Sequence, residues 1–318
     1  MPVVPQLSVV IPTRNPHPER FRRTLEGLAA QTFEHARWET LLIDNASDQP
    51  WDPPPDLVTA LPHFRRVVEP QLGLTPARLR GLAEAQGSVI VFVDDDNVLV
   101  PDYLVGVARQ FESHPGLGAA GGPVLPKFES PPAEWTREFW PLLALRDSGE
   151  QSLVCRGGLG VTWPAFAPVG AGLCLRRQAA EPYLRAIAND PRRKLLDRRG
   201  AALASGGDND IVFAALHAGW DVGYFPELSL THLIPSNRLD PAYLGRLNEA
   251  IMRTWVLVLH IHGQCPWPAV RPWTVPLRSA RAWLRTRAWT TPANRIRWMG
   301  RRGQFRGQGI IHGFETNP

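Results

Sequence analysis

The sequence predicts an α/β fold, a mostly parallel sheet with helices on both faces, followed by a loop-rich half and a basic helical extension. Three observations carry the prediction. Short, nearly continuous apolar runs at residues 7–11, 40–43, 64–68 and 88–93 alternate with segments of helical period. Strands buried on both faces of a parallel sheet read in this way. The runs end in polar residues, namely Thr13, Arg14 and Asn15, then Asp44 and Asn45, then Asp94, Asp95 and Asp96. A parallel sheet would bring such ends to the one edge where open α/β sheets bind ligands. From about residue 115 the composition shifts to Gly, Pro and Trp, which suits loops more than regular elements.

Along the chain, the first apolar run is stopped by Pro12, and Pro18 then opens a helix whose Phe21, Leu25 and Leu28 share one face. The second run ends at Asp44, and a proline-rich loop over residues 51–55 leads to the third. Thr75 followed by Pro76 reads as an N-cap with proline at the first helical position, and that helix runs to about Ala85. The fourth strand delivers the three acids. Farther on, residues 171–176 read as a strand. A helix beginning near Asp208 turns Ile211, Ala214, Ala215 and Ala218 inward before Gly219 ends it. Gly157, Gly158 and Gly160 read as a loop, because no strand and helix flank them as a dinucleotide fingerprint requires.

Composition narrows the classes. With 318 residues, 44% hydrophobic and 20% charged, the chain can bury one large core or two fused halves, and disorder is not expected. Its three cysteines, Cys155, Cys174 and Cys265, form no CxxC pair and suggest neither a disulfide framework nor a zinc site. The opening stretch lacks the pattern of a signal peptide, and no apolar run nears the roughly 18–20 residues of a membrane span. A cytoplasmic protein is the expectation. The formal net charge of +5 is uneven, since residues 250–314 hold no Asp or Glu. There Leu277, Ala280, Trp283, Leu284 and Ala288 fall on one helical face and Arg278, Arg281 and Arg285 on another, a pattern compatible with peripheral contact at the inner face of a membrane or with ordinary packing. No helix-turn-helix, zinc-finger or RNA-binding signature accompanies the arginines, so nucleic acid is not an expected partner.

The acids after residues 89–93 are the most informative feature. Three adjacent carboxylates repel, and oxygen ligands favour a hard divalent cation such as Mg²⁺ or Mn²⁺ that shares its shell with substrate phosphates. A solvated acidic turn is the plain alternative.

Taken in order, several segments resemble the GT-A glycosyltransferases, in particular the inverting family 2 enzymes of bacterial cell-surface polysaccharide type. They are SVVIPTRN from Ser8, LLIDNAS from Leu41, GLTPARLRGLAEAQG from Gly73, VFVDDDN from Val91, GAGLCLRR from Gly170, GGDNDI from Gly206 and THLIP from Thr231. The resemblance implies a GT-A (Rossmann-like) fold with a nucleotide-sugar-binding half at 1–115, an acceptor-binding and catalytic half at 116–240, and a basic extension rich in Trp and Arg at 241–318. It implies that Pro12, Thr13, Asn15 and Asp44 surround the nucleoside and that Arg78 lies near the base and diphosphate. In the acidic triplet, Asp96 would ligate the metal, with Asp94 and Asp95 contacting ribose, metal waters or backbone. His232 would complete the metal shell or touch the diphosphate, a strand histidine in a structural role being the alternative. Asp208 matches the catalytic carboxylate of a Glu-Asp motif whose Glu position is Gly207 here, and a usual Asn is Leu79. An N-cap is the simpler role for Asp208, and the two roles are compatible.

For the acceptor, Trp135, Trp140 and Trp163 are the expected stacking platforms, with Asp210 a second polar contact; core packing is the competing role for each Trp. The implied activity is metal-dependent transfer of a sugar from a nucleotide-diphospho-sugar donor to a polysaccharide, glycolipid or other hydroxyl acceptor. Two alternatives stay open, a sugar nucleotidyltransferase and a degenerate, non-catalytic sugar- or nucleotide-binding module.

Overall fold

A computed structural model of the chain describes residues 4–49 and 52–316. The first three residues of the opening stretch and Trp51, at the start of the proline-rich loop, lie outside them. The chain divides into two compact units, residues 1–127, 144–190 and 211–234 in the first and 128–143, 191–210 and 235–318 in the second.

In the first unit the chain runs β1 (Leu7–Thr13), α1 (Pro18–Ala29), β2 (Trp38–Asp44), α2 (Pro55–Ala60), β3 (Arg65–Val68), α3 (Leu74–Glu84) and β4 (Val89–Phe92). A short β5 (Asn97–Leu99), α4 (Tyr103–Ser113), β6 (Leu117–Gly121), β7 (Val124–Phe128), β8 (Leu153–Cys155), β9 (Cys174–Arg176) and α5 (Arg177–Asn189) follow. After α6 (Gly207–His217), which begins in the second unit, come β10 (Asp221–Tyr224) and β11 (Leu230–Ile234). The main sheet has the order β3-β2-β1-β4-β9-β6-β10-β8, and β5-β11-β7 form a smaller one.

Strands β3, β2, β1 and β4 are parallel, each side chain of β1 and β2 is buried, and α1, which packs on β5, buries Phe21, Leu25 and Leu28. This order has a topological consequence. The chain builds outward from β1 to β2 and β3, then returns through α3 to place β4 on the other side of β1. The connections therefore reverse direction between β1 and β4, and the carboxyl ends of these two strands are where an open α/β sheet binds its ligand.

The sheet is mostly parallel as expected, with β9 lying antiparallel between β4 and β6 and β8 antiparallel to β10. Two expectations are corrected. The strand expected over 171–176 shrinks to Cys174–Arg176, since Gly172 takes φ +73°, outside extended backbone. Helix α3 begins at Leu74 with Gly73 as its cap, placing Thr75 and Pro76 within the first turn. A proline there loses no intrahelical hydrogen bond, so its sequence signal marks the turn and not the residue.

The three cysteines are free thiols. Burial pushes Cys174 up to about 12, with a hydrogen bond from Tyr103 only partly opposing it, so this thiol stays protonated and inert.

The second unit holds α7 (Pro241–Ile261), α8 (Val275–Arg285) and α9 (Pro292–Thr316). Asp240 caps α7 by accepting from the Ala242 and Tyr243 amides at 2.7 and 3.3 Å. Helices α7 and α9 lie against each other along a row of glycines, Gly300, Gly303 and Gly307. A Cβ on Gly303 would meet the Glu249 carbonyl oxygen at 2.1 Å. Glu249 is nearly buried and receives both Arg302 and Arg306 from α9. No described helix is long and apolar enough to cross a membrane.

Candidate active site

At the carboxyl end of β1 the Thr13 hydroxyl donates to Asp95 in the turn after β4, so two of the residues singled out in the sequence meet at the reversal of strand order. On the other side, the Asn45 amide donates to the Thr13 carbonyl at 2.8 Å. Asn15 takes φ +51° and exchanges two hydrogen bonds with Asp48, at 2.7 and 2.8 Å. Asn tolerates this left-handed backbone better than most residues. Arg14 pairs with the same Asp48 at 2.8 Å. These contacts hold the loops after β1 and β2 together.

Asp44 ends β2 with 7% exposure and is fixed by the Ser47 amide at 3.1 Å and by Arg66 at 2.5 Å. Burial acts to raise its carboxyl, but hydrogen bonds from Ser47 and Arg66 together with the Arg66 charge outweigh it and hold the group below its usual value. The carboxylate is thereby favoured in its ionised, hydrogen-bond-accepting form. Arg78, on α3, is buried, with its guanidinium 5.9 Å from the centre of the Phe92 ring.

The acidic turn is organised by strand pairing. Asn97 opens β5 directly after the triplet and pairs with His232 in β11. This register sets the His232 Nε2 3.4 Å from Asp96 Oδ1, with both side chains less than 10% exposed. The Leu233 amide donates to the Asp96 carbonyl at 2.8 Å, and Asn97 braces the turn through Asp94 N–H at 3.3 Å and Asp96 Oδ1 at 3.3 Å. Asp94 and Asp95 remain partly exposed.

In the second unit, Asp208 stands in the first turn of α6 and accepts from the Asn209 amide at 2.9 Å. Its position is favoured by the partial positive charge of a helix N-terminus. Gly207 beside it is sterically required: a Cβ there would lie 2.3 Å from Asp197 Oδ2, and Asp197 is itself buried. A buried carboxylate thus fills the space that a side chain at 207 would need.

Asp210 lies elsewhere than expected. It is fully buried, ion-paired to Arg193 and 2.7 Å from His262 Nε2, so it braces the start of α6 within its own unit and offers no open carboxylate. We expect Asp210→Ala, which leaves the Arg193 charge uncompensated, to destabilise the protein by about 3–5 kcal/mol; urea denaturation of the variant beside the native chain checks it.

The tryptophans separate. Trp163 packs on Phe213 with ring centres 4.6 Å apart and sits against the core of the first unit. In the second unit Trp140 leans on Phe128 at 5.0 Å and donates its Nε1 to Thr136 at 3.2 Å. Trp135 lines a cleft of about 620 Å³ together with Thr136, Ser236, Asn237, Tyr243 and Arg246.

Sequence reasoning gave no role to Asn45, whose side chain accepts from the Gly73 amide at 2.8 Å and donates to the Gln71 carbonyl at 2.8 Å, tying β2 to the start of α3. Its place in LLIDNAS was the available signal. Arg193, Asp197 and His262 carried none, being scattered through segments without a motif.

Residues 8–169, just over half of the chain, match the family described as Glycosyl transferase family 2. The chain belongs to this family. Among curated relatives, an N-acetylglucosaminyltransferase of Bradyrhizobium diazoefficiens is 24% identical over 241 residues, 73% of this chain and 46% of the relative. A glucosyl-dolichyl phosphate glucuronosyltransferase of Haloferax volcanii is 26% identical over 134 residues, 41% of this chain and 42% of the relative. This family 2 chain spans about half or less of the length of the curated relatives it matches. A solved structure of mannosyltransferase PcManGT from Pyrobaculum calidifontis, in complex with GDP-Man and Mn²⁺, superposes with a TM-score of 0.56 at 16% identity, covering 99% of this chain and 88% of the other. That likeness places the chain in the GT-A fold.

Proposed function

We propose that the protein is a metal-dependent inverting glycosyltransferase that moves a sugar from a nucleotide-diphospho-sugar to a hydroxyl acceptor of a polysaccharide or glycolipid. The observation that carries the reading is the acidic turn at the reversal of strand order, where Asp96 meets His232 and Asp95 meets Thr13. Membership of glycosyl transferase family 2 favours sugar transfer over nucleotidyl transfer, and the names of the relatives agree.

The donor set fits a divalent cation that is completed by substrate. Ligands at about 2.0–2.1 Å in an octahedral shell stand about 3 Å apart, near the 3.4 Å between Asp96 and His232. Among the described residues no three His, Cys, Asp or Glu side chains gather where they could hold a metal ion, so a cation held by this pair would need further oxygens from the substrate. Asp96 and His232 would hold it, and when bound it would offset the charge gathering on the leaving nucleoside diphosphate. The Mn²⁺ in the PcManGT complex supports this choice.

The remaining roles fall to the chain itself. Pro12, Thr13, Asn15 and Asp44 surround the nucleoside, Asp94 and Asp95 face its ribose, and Arg78 serves the diphosphate. Asp208 accepts the proton of the acceptor hydroxyl as that oxygen attacks the anomeric carbon and the bond to the diphosphate oxygen breaks, the electron pair leaving with the nucleoside diphosphate. The Trp135 cleft, lined by Trp135 and Tyr243 together with Thr136, Ser236, Asn237 and Arg246, offers aromatic and polar groups for a sugar of the acceptor. Residues 1–115 then form the donor half, 116–240 the acceptor and catalytic half, and 241–318 an extension that brings a cytoplasmic enzyme to the inner face of a membrane.

A thermal-shift series tests donor binding. With Mn²⁺ present, the matching nucleotide-sugar at a hundred times its Kd stabilises the fold by about 2.7 kcal/mol, and the shift shrinks when EDTA replaces the metal. If a panel of uridine-, guanosine- and thymidine-diphosphate sugars produces no shift and no turnover with either cation, the transferase reading fails.

A further inference from the structure

We infer that the outward face of α8 and its flanks is a docking surface for an anionic lipid bilayer. The inference rests on the proposed membrane placement of the extension alone, and not on the transfer chemistry.

Helix α8 is seated on its neighbours by small residues. Ser279 and Ala282 are its buried positions, and the Ser279 carbonyl accepts from Trp298 Nε1 of α9 at 3.0 Å. At 100° per residue the large apolar side chains fall on other sides. Leu277 is 73% exposed and Leu284 60%, while Trp273 just before the helix is 72% exposed and Trp289 just after it 56%. Trp283, also exposed, meets Trp289 with ring centres 4.6 Å apart. Ala288, grouped with the apolar face in the sequence, is the exception: the helix ends at Arg285, Arg287 turns to φ +49°, and Ala288 is buried. The fold has thus used the small residues of α8 and left its largest apolar ones in water. Exposed apolar residues this concentrated mark an interaction site.

The charge around them selects the partner. Arg278, Arg281 and Arg285 form the adjoining arc of the helix, Arg271 and Arg287 flank it, and all five are exposed. Residues 250–314 contain eleven arginines and no Asp or Glu. A second copy of this face would set arginine against arginine, so self-association through it is repulsive. A nucleic acid would satisfy the arginines but give Leu277 and Leu284 nothing to enter. An anionic membrane satisfies both, since phosphates meet the guanidinium arc while leucine and tryptophan enter the headgroup and acyl boundary. Beside this face a groove of about 640 Å³, lined in part by Val275, Trp283, Leu284, Trp298, Arg302 and Arg306, adds apolar surface next to cationic side chains.

Flotation of the full-length protein with vesicles tests this. Vesicles containing phosphatidylglycerol should carry the protein upward and vesicles of phosphatidylcholine alone should not. Arg278→Gln, Arg281→Gln and Arg285→Gln combined should weaken the partition about a hundredfold. Leu277→Ser with Leu284→Ser should weaken it tenfold or more. Both sets change exposed side chains, and an unaltered melting temperature shows that the fold is kept. Equal flotation with both vesicle types, no flotation with either, or retention of binding in the leucine variant overturns the inference. Tight binding to RNA or DNA with no vesicle binding overturns it in favour of a nucleic-acid surface. Donor-stimulated turnover is measured in parallel, so absent flotation with intact turnover removes the docking surface and leaves the transferase reading standing.

Discussion

Asp208→Asn is expected to lower kcat by about a hundred- to ten-thousandfold while leaving donor binding unchanged, the range associated with removing a positioned general base. The substitution is nearly isosteric. Asn can still accept from the Asn209 amide and still suits the start of a helix, so α6 should form as before and stability should change little. A structural role alone would move the melting temperature and leave the chemistry intact. The separating measurement is therefore single-turnover kinetics with the donor identified by thermal shift, beside the donor Kd. A variant that turns over at the native rate, or that loses donor affinity as its main defect, would remove Asp208 from its assigned role. The steric demand at Gly207 gives the prediction further context. Because Asp197 occupies the space next to that glycine, restoring a Glu at 207 should create a collision with a buried carboxylate and not a better catalyst.

Asp96→Ala is expected to cut kcat/KM by about a hundred- to a thousandfold and to abolish the effect of Mn²⁺ on donor binding. The magnitude follows from the few kcal/mol attributed to Lewis-acid stabilisation of a leaving phosphate, at about 1.4 kcal/mol per tenfold. Asp96 is nearly buried, and its partners His232 and Asn97 come from strands paired through their own backbone register. His232→Ala should follow in the same direction with a smaller loss, since one neutral nitrogen ligand is more readily replaced by water than a carboxylate. Isothermal titration of the donor with and without Mn²⁺ decides the matter: an Asp96→Ala protein that keeps native metal dependence would show that the acidic turn is not the cation site.

The positions proposed to bind the donor were legible before the structure, for a physical reason. Ligands of an open α/β sheet come from strand ends, and strand ends are marked in sequence by a polar residue after an apolar run. Thr13, Asp44 and Asp94 to Asp96 were placed at strand ends in this way, and Asp208 at the start of α6. Residues whose work is done by long-range contact were not. Asn45 stood in a quoted motif without a role, because its value lies in reaching Gln71 and Gly73. Asp210 looked like an acceptor contact from its spacing, and its burial against Arg193 and His262 reverses that reading. Trp163, indistinguishable from Trp135 by residue type, is set apart only by its packing on Phe213.

By itself the sequence determined the α/β class, the succession of the first four strands along the chain and the acidic turn, because apolar periodicity and strand-end polarity are local properties. Tertiary structure alone decided that β9 runs antiparallel through the middle of the sheet, that His232 comes to Asp96 through the register of β11 on β5, and that α8 turns its leucines to solvent. Each of these depends on which surfaces meet in space, and a pattern read along one chain holds no record of the partner across the gap.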